Sequence, residues 1–128
     1  EPNALETARW LSRAAARGYA PAEYDYAVVL LKGFGLKQDE PKAIAYLKSA
    51  AEKGIAGAQN RIAYVYLDGA GVDKDPVQAA KWRLIAQKNG LEDKALDDKL
   101  AKLSKADRAK AIAAASEWAD RIQVQNIE

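Results

Sequence analysis

The spacing of apolar residues predicts pairs of α-helices joined by short polar turns. Between residues 58 and 66, apolar side chains recur with the period of one helical face, at Ala58, Ile62, Ala63 and Tyr66. A second stripe of the same kind follows the turn, at Ala79, Trp82, Ile85 and Ala86. We call the helix before the turn the first-type helix and the helix after it the second-type helix.

This pattern repeats every 36 residues. Gly18, Gly54 and Gly90 share that spacing, and so do Trp10, Tyr46 and Trp82, which we expect to face the core. One helix pair cannot bury both of its faces, so successive pairs must stack on one another. The period therefore predicts an all-α fold, a right-handed α-solenoid of antiparallel helix pairs.

Glycine and aspartate residues mark the predicted helix ends. Gly33 and Gly69 end the first-type helices, because glycine adopts the positive φ of such a stop at low cost. Asp39 and Asp75 are predicted N-caps of the second-type helices. The glycines at the 36-residue spacing are predicted C-caps. We expect Phe34, in the first turn, to pack onto the next turn, with a partner contact as the alternative.

The repeat divides the chain into segments of one predicted domain, residues 1–128. These are a half repeat (4–18), two repeats (19–54 and 55–90), a helical end-cap (91–122) and a polar tail (123–128) expected to fray. In the end-cap, a leucine-rich helix spans 91–103 and Ser104 begins a long second helix. That helix is predicted to bury Ile112, Ala115, Trp118, Ala119 and Ile122.

Composition excludes several classes of function. The chain has no His and no Cys, which removes thiolate nucleophiles, zinc–cysteine sites and the commonest general base. A net charge of +2 with both signs mixed argues against nucleic-acid binding. The longest apolar runs are five residues, far too short to insert into a membrane. We predict no catalytic residue, no metal and no cofactor, with a carboxylate-only hydrolase as a weak alternative.

The first-type helices carry a second apolar stripe, predicted to line the concave side where a partner binds. It consists of Tyr24, Val28 and Leu31 in the first copy, and Asn60, Tyr64 and Leu67 in the second. Four polar residues flank it as candidates for polar contacts, namely Glu23, Asp25, Gln59 and Arg61. The alternative is that the residues of this stripe pack against the adjacent repeat, which is favoured for Val28 and Leu31, while the polar residues are solvated.

The motif at 58–90 resembles the Sel-1-like repeat, a relative of the tetratricopeptide repeat with a longer period and a glycine-rich turn. The resemblance covers residues 4–90, and 91–122 is similar to the helical end-cap of many bacterial members. Arg83 departs from the repeat, because Leu11 and Leu47 occupy the equivalent positions. The resemblance implies a binding scaffold or adaptor, often in bacterial envelope or signalling complexes. An enzymatic, cysteine-rich branch of the family does not apply to a chain without Cys.

The prediction is therefore a non-catalytic scaffold that binds a protein or peptide, with no nucleic acid and no membrane insertion. The alternative is a cell-envelope module that binds glycan or peptidoglycan, and a third interpretation is a spacer between other domains. The chain begins Glu1-Pro2-Asn3 without Met, so we expect a processed chain or part of a longer bacterial repeat protein. A periplasmic or exported location is slightly favoured over the cytoplasm.

Overall fold

A computed structural model describes residues 3–33 and 36–127. Within these ranges the chain forms seven α-helices and no β-strand. The helices are α1 (Ala4–Ala16), α2 (Ala20–Lys32), α3 (Glu40–Glu52), α4 (Ala56–Asp68), α5 (Pro76–Lys88), α6 (Lys94–Leu100) and α7 (Lys105–Ile127). The predicted contact of Phe34 falls outside the described residues.

The second-type helices α1, α3 and α5 end in the same glycine turn. Gly18, Gly54 and Gly90 have φ values of +83°, +97° and +91°, where a side chain would be strained. The N–H of the residue after each glycine donates to the carbonyl five positions earlier, at 3.1–3.2 Å. This is the Schellman motif, and its recurrence confirms both the 36-residue period and the predicted C-caps.

Asp39 and Asp75 cap α3 and α5 as predicted. Each Oδ1 accepts a hydrogen bond from the backbone N–H three residues later, at 3.2 Å and 3.1 Å. The backbone N–H of each aspartate donates to the carbonyl nine residues earlier, at 3.1 Å and 2.9 Å. These bonds close each turn onto the preceding first-type helix. Gly33 and Gly69 begin the turns with φ of +73° and +71°, as their sequence position predicts.

The chain packs as two compact units, Glu1–Ile62 and Ala63–Glu128. In the first unit α1 packs against α2 and α2 against α3, and in the second α5 packs against α7 and less extensively against α6. The predicted all-α class with consecutive helices packed together is confirmed, while the single 1–128 domain stays a prediction. No helix in the described part of the chain is both long and apolar enough to cross a membrane.

Two aromatic pairs join neighbouring helices at the repeat positions Tyr46, which is half-buried, and Trp82, which is buried. Tyr46 on α3 meets Tyr26 on α2 edge to face, with ring centroids 5.5 Å apart. Trp82 on α5 meets Trp118 on α7 in the same geometry at 5.7 Å. Such edge-to-face contacts add to the stabilisation from burial, so each pair fixes one helix against its neighbour.

Trp10 does not follow this pattern, and the prediction that it lies in the core is wrong. Its side chain is 69% exposed, and the Arg13 guanidinium lies 5.6 Å from the ring centroid. Tyr46 is covered by α2, the first-type helix that precedes it. Among the described helices none precedes α1, so the equivalent face of α1 remains open to solvent.

The C-terminal helices differ from the prediction in their bounds. The first is α6, which has seven residues and is shorter than the 91–103 helix expected. Ser104 caps α7 as predicted, since its Oγ accepts from the N–H of Asp107 at 3.1 Å. Residues 123–127, the expected polar tail, continue α7 without a Gly or Pro to end the helix, and their fraying stays a prediction. Ile112 is 53% exposed rather than buried, and Ala111 takes the inner position.

Candidate functional site

Glu23, predicted at the edge of the binding surface, is a buried carboxylate in the first unit. Its side chain is 5% exposed and accepts hydrogen bonds from Ser49 Oγ at 2.7 Å and Lys53 Nζ at 3.0 Å. Lys53 Nζ also donates to the Gly18 carbonyl at 2.9 Å. A buried charge is tolerated only when it is paired in this way. Glu23 therefore holds α2 against α3, and the prediction that it contacts a partner is wrong.

Asn60 is also buried, at 8% exposure, so the prediction that it faces a partner is wrong as well. Its neighbour Gln59, another predicted polar contact, is fully buried and donates from Nε2 to the Ala51 carbonyl at 3.0 Å. That bond ties α4 to the C-terminal turn of α3. Four residues of α4 are buried, namely Ala58, Gln59, Asn60 and Ile62. Neighbouring residues therefore cover more of the surface of α4 than the sequence predicted.

The remaining residues of the first copy form a half-buried surface that we call the Tyr24 patch, comprising Tyr24, Val28, Leu31 and Arg61. Arg61 Nε donates to Tyr24 Oη at 3.4 Å, so a residue of α4 positions the hydroxyl end of the tyrosine ring. Gly57 makes room for that ring, since an ideal Cβ at this position would lie 2.8 Å from Tyr24 Oη. The ring is therefore held by α4 on one side and is partly open to solvent.

The second copy presents a corresponding Tyr64 patch, comprising Tyr64, Leu67, Asp93 and Lys99. Tyr64 and Leu67 are half-buried. Tyr64 Oη donates to Asp93 Oδ2 at 2.8 Å, and Lys99 Nζ lies 5.6 Å from the ring centroid. Asp93 Oδ1 also caps α6 by accepting from the Leu96 N–H at 3.0 Å. One carboxylate thus fixes both the ring and the start of α6.

Burial raises the pKa of Tyr64 above its ordinary value of 10.0, and the hydrogen bond to Asp93 raises it further. The neutral hydroxyl is favoured because it donates to a carboxylate, which would repel a phenolate. Sequence reasoning missed Asp93 and Lys99. Asp93 comes just before the apolar residues of α6, and this position indicates a helix N-cap. It does not indicate the hydrogen bond that Asp93 accepts from Tyr64.

An ion pair in the second unit, between the buried Arg83 and the half-exposed Asp97, was also missed as a site. Arg83 is 2% exposed, and its Nε and Nη2 donate to Asp97 Oδ1 and Oδ2 at 2.6 Å and 3.2 Å. Its Nη1 donates to the Leu91 carbonyl at 2.9 Å. Arg83 therefore binds α5 to α6 through a two-pronged contact. The available signal was the departure of Arg83 from the leucine of the other copies.

Within residues 3–33 and 36–127 the acidic side chains form no metal-binding arrangement. No group of three or more acidic residues there is placed to hold a metal ion. Asp39 and Asp75, which invite a metal-loop interpretation, are helix caps. What the described surface does offer is oriented tyrosine rings with adjacent charged side chains, an arrangement suited to molecular recognition.

Comparisons with known proteins agree with the internal repeat. A family model of the Sel1 repeat matches residues 1–19, 20–55 and 56–86. No curated protein sequence matches the chain. The matched segments correspond to the half repeat and the two repeats described above.

The solved structures similar to the chain include two bacterial proteins. One is c5321, a protective antigen present in uropathogenic Escherichia coli strains that displays an SLR fold, with 26% sequence identity and a TM-score of 0.75. The other is a Sel1 repeat protein from Oxalobacter formigenes, with 29% identity and a TM-score of 0.68. The alignments cover 94% and 70% of this chain, but only 28% and 36% of those chains. The chain thus spans about a third of the length of each.

Proposed function

Because the chain belongs to the Sel1 repeat family, whose members are generally non-catalytic scaffolds for protein interactions, we propose that it binds a peptide or helix of a protein partner. The binding residues we propose are those of the Tyr24 patch and the Tyr64 patch. Glu23 and Asn60 are left out because they are buried.

The observation that carries this proposal is the held but accessible ring of Tyr24. Tyrosine and arginine dominate the energetics of protein interfaces, since each combines a large contact area with a polar end. The contacts with Gly57 and Arg61 restrict the Tyr24 ring before any partner arrives. A restricted side chain loses less conformational entropy on binding, and this favours a recognition role.

The Tyr64 patch supports the same role with different charges. Its ring lies between the Asp93 carboxylate and the Lys99 ammonium, whereas the Tyr24 patch carries only the Arg61 guanidinium. Each patch therefore favours a different sequence on the partner, because charge complementarity selects among ligands of similar shape. The apolar members, Leu31 and Leu67, supply contact area beside the polar groups.

The test is partner capture with single and double alanine variants of the two tyrosines. We expect Tyr24→Ala and Tyr64→Ala each to weaken capture by about tenfold, the effect of losing one interface anchor. Tyr19→Ala is the matched control, because Tyr19 is 63% exposed but belongs to neither patch. Equal capture by the folded double variant and the wild type would refute the assignment.

An envelope module that binds glycan or peptidoglycan is the alternative function, and a periplasmic or exported location belongs with it. Half-exposed tyrosine rings beside Lys99 and Arg61 are also suited to stacking on sugars and bonding their hydroxyl groups. Purified cell-wall fragments, titrated against wild type and the same tyrosine variants, separate the two functions. Binding of the fragments that depends on Tyr24 or Tyr64 would favour the alternative.

A further inference from the structure

A cleft in the second unit opens between α5, the turn after α6, and α7. Its volume is about 280 Å³. The floor is apolar and buried, formed by Ala80, Leu100 and Ala111. Leu84 and Leu103 line the walls, while Ile112 lies at the mouth. None of these residues belongs to the tyrosine patches.

The cleft exists where the second repeat departs from the first. Ile44 and Leu47 are buried in the first copy, and the residues 36 positions later are Ala80 and Arg83. Alanine lacks the branched side chain of isoleucine, so it leaves space that Ile44 fills in its own repeat. The replacement of Leu47 by Arg83 brings a guanidinium to the edge of that space.

The charges around the cleft favour an anion. Two guanidinium groups line it, those of Arg83 and Arg108, against one carboxylate, that of Asp97. Arg108 is exposed, and its Nη2 makes one long contact, 3.4 Å from the Leu100 carbonyl. Because Asp97 pairs with Arg83, the Arg108 guanidinium gives the lining its net positive charge. A concentration of one charge sign beside an apolar cavity attracts ligands of the opposite sign.

We propose that this cleft binds a carboxylate that carries a compact apolar body. The apolar body rests on Ala80 and Ala111, and the carboxylate meets the Arg108 guanidinium at the mouth. An engineered apolar cavity of about 150 Å³ holds benzene, so the larger cleft accommodates a medium-length aliphatic chain or an aromatic ring. Organic acids of this size and the apolar C-terminal residue of a peptide share this chemistry. The site is separate from the tyrosine patches and from the function proposed for them.

Methyl-detected NMR titration with sodium hexanoate tests the site in the full chain. We expect saturable shifts of the Leu84, Leu103 and Ile112 methyl groups, and none at Leu30 or Leu47 in the first unit. Hexan-1-ol, which lacks the charge, and acetate, which lacks the apolar body, are expected to bind at least tenfold more weakly. An acetylated tripeptide ending in leucine is the second probe. Tighter binding of hexanoate would identify an organic acid as the ligand, and tighter binding of the tripeptide would identify a peptide C-terminus.

Three variants make the test specific. Ala80→Ile restores the side chain of the first repeat, fills the cleft and should abolish binding. Arg108→Gln should weaken hexanoate about tenfold while leaving hexan-1-ol unchanged. Ile112→Glu changes an exposed residue, so the fold is preserved while a carboxylate at the mouth repels the ligand. No methyl shifts with either acid, undiminished binding by the folded Ala80→Ile or Ile112→Glu variant, or equal affinity for hexanoate and hexan-1-ol would overturn the proposal.

Discussion

Removing Asp97 should destabilise the protein far more than removing Arg83, although the two form one ion pair. Asp97→Ala leaves the Arg83 charge buried without its two-pronged carboxylate partner. Loss of one member of a fully buried pair costs about 3–5 kcal/mol. The Asp97 side chain is 40% exposed, so water compensates in part, and we expect about 2–3 kcal/mol.

Arg83→Leu removes the buried charge itself. It restores the residue that the first copy carries at this position, Leu47, which packs there fully buried. The Asp97 carboxylate is then solvated where it already meets water. Replacement of a buried ion by an apolar side chain is often neutral, so we expect the unfolding free energy to stay within about 1 kcal/mol of wild type.

The assay is thermal and urea unfolding followed by far-UV circular dichroism, for wild type, both single variants and the double variant. For a chain of 128 residues, the expected loss lowers the melting temperature by about 7–11 °C in Asp97→Ala. The double variant should be close to Arg83→Leu, because Asp97 has no charge left to pair. An Asp97→Ala variant within about 0.5 kcal/mol of wild type, or one more stable than Arg83→Leu, would refute this reasoning.

Three further predictions follow from other contacts. Trp10 should account for nearly all of the acrylamide-quenchable tryptophan emission, since the other two tryptophans are buried, and Trp10→Phe should remove it. Gly57→Ala should displace the Tyr24 ring, seen as shifted ring signals in NMR, with little net change in stability, because alanine favours the helix by about 1 kcal/mol. Because the folded state raises the pKa of Tyr64, the stability from its neutral hydroxyl is present below pH 10.0 and is lost as pH rises through the folded pKa. The unfolding free energy measured in urea should therefore be lower above the folded pKa than below pH 10.0 in wild type. Tyr64→Phe should lack this fall.

Features set by local backbone geometry could be predicted from the sequence. The glycine stops and aspartate caps depend on a few neighbouring residues, and their positions recur at the 36-residue spacing. The position of Tyr46 facing its neighbouring helix also follows from the period, whereas its edge-to-face contact with Tyr26 was not predicted. These predictions need only the helical period and the chemistry of helix ends.

Predictions that depended on which helix covers which face were less secure. Trp10 has the same repeat position as Tyr46, but its burial depends on a preceding helix. Glu23 looked like a rim residue because glutamate is rarely buried, and only the approach of Ser49 and Lys53 reverses that expectation. The cleft beside Ala80 depends on how α7 packs on α5, which the repeat alone does not specify.

The central claim is that the tyrosine patches contact the partner, and site-specific photo-crosslinking tests it most directly. A photoreactive phenylalanine analogue placed at Tyr24 or Tyr64 should give a crosslinked adduct with a single partner. The same analogue at Tyr19, which is exposed but lies outside both patches, should give none. An adduct at Tyr19 with none at Tyr24 and Tyr64 would contradict the account.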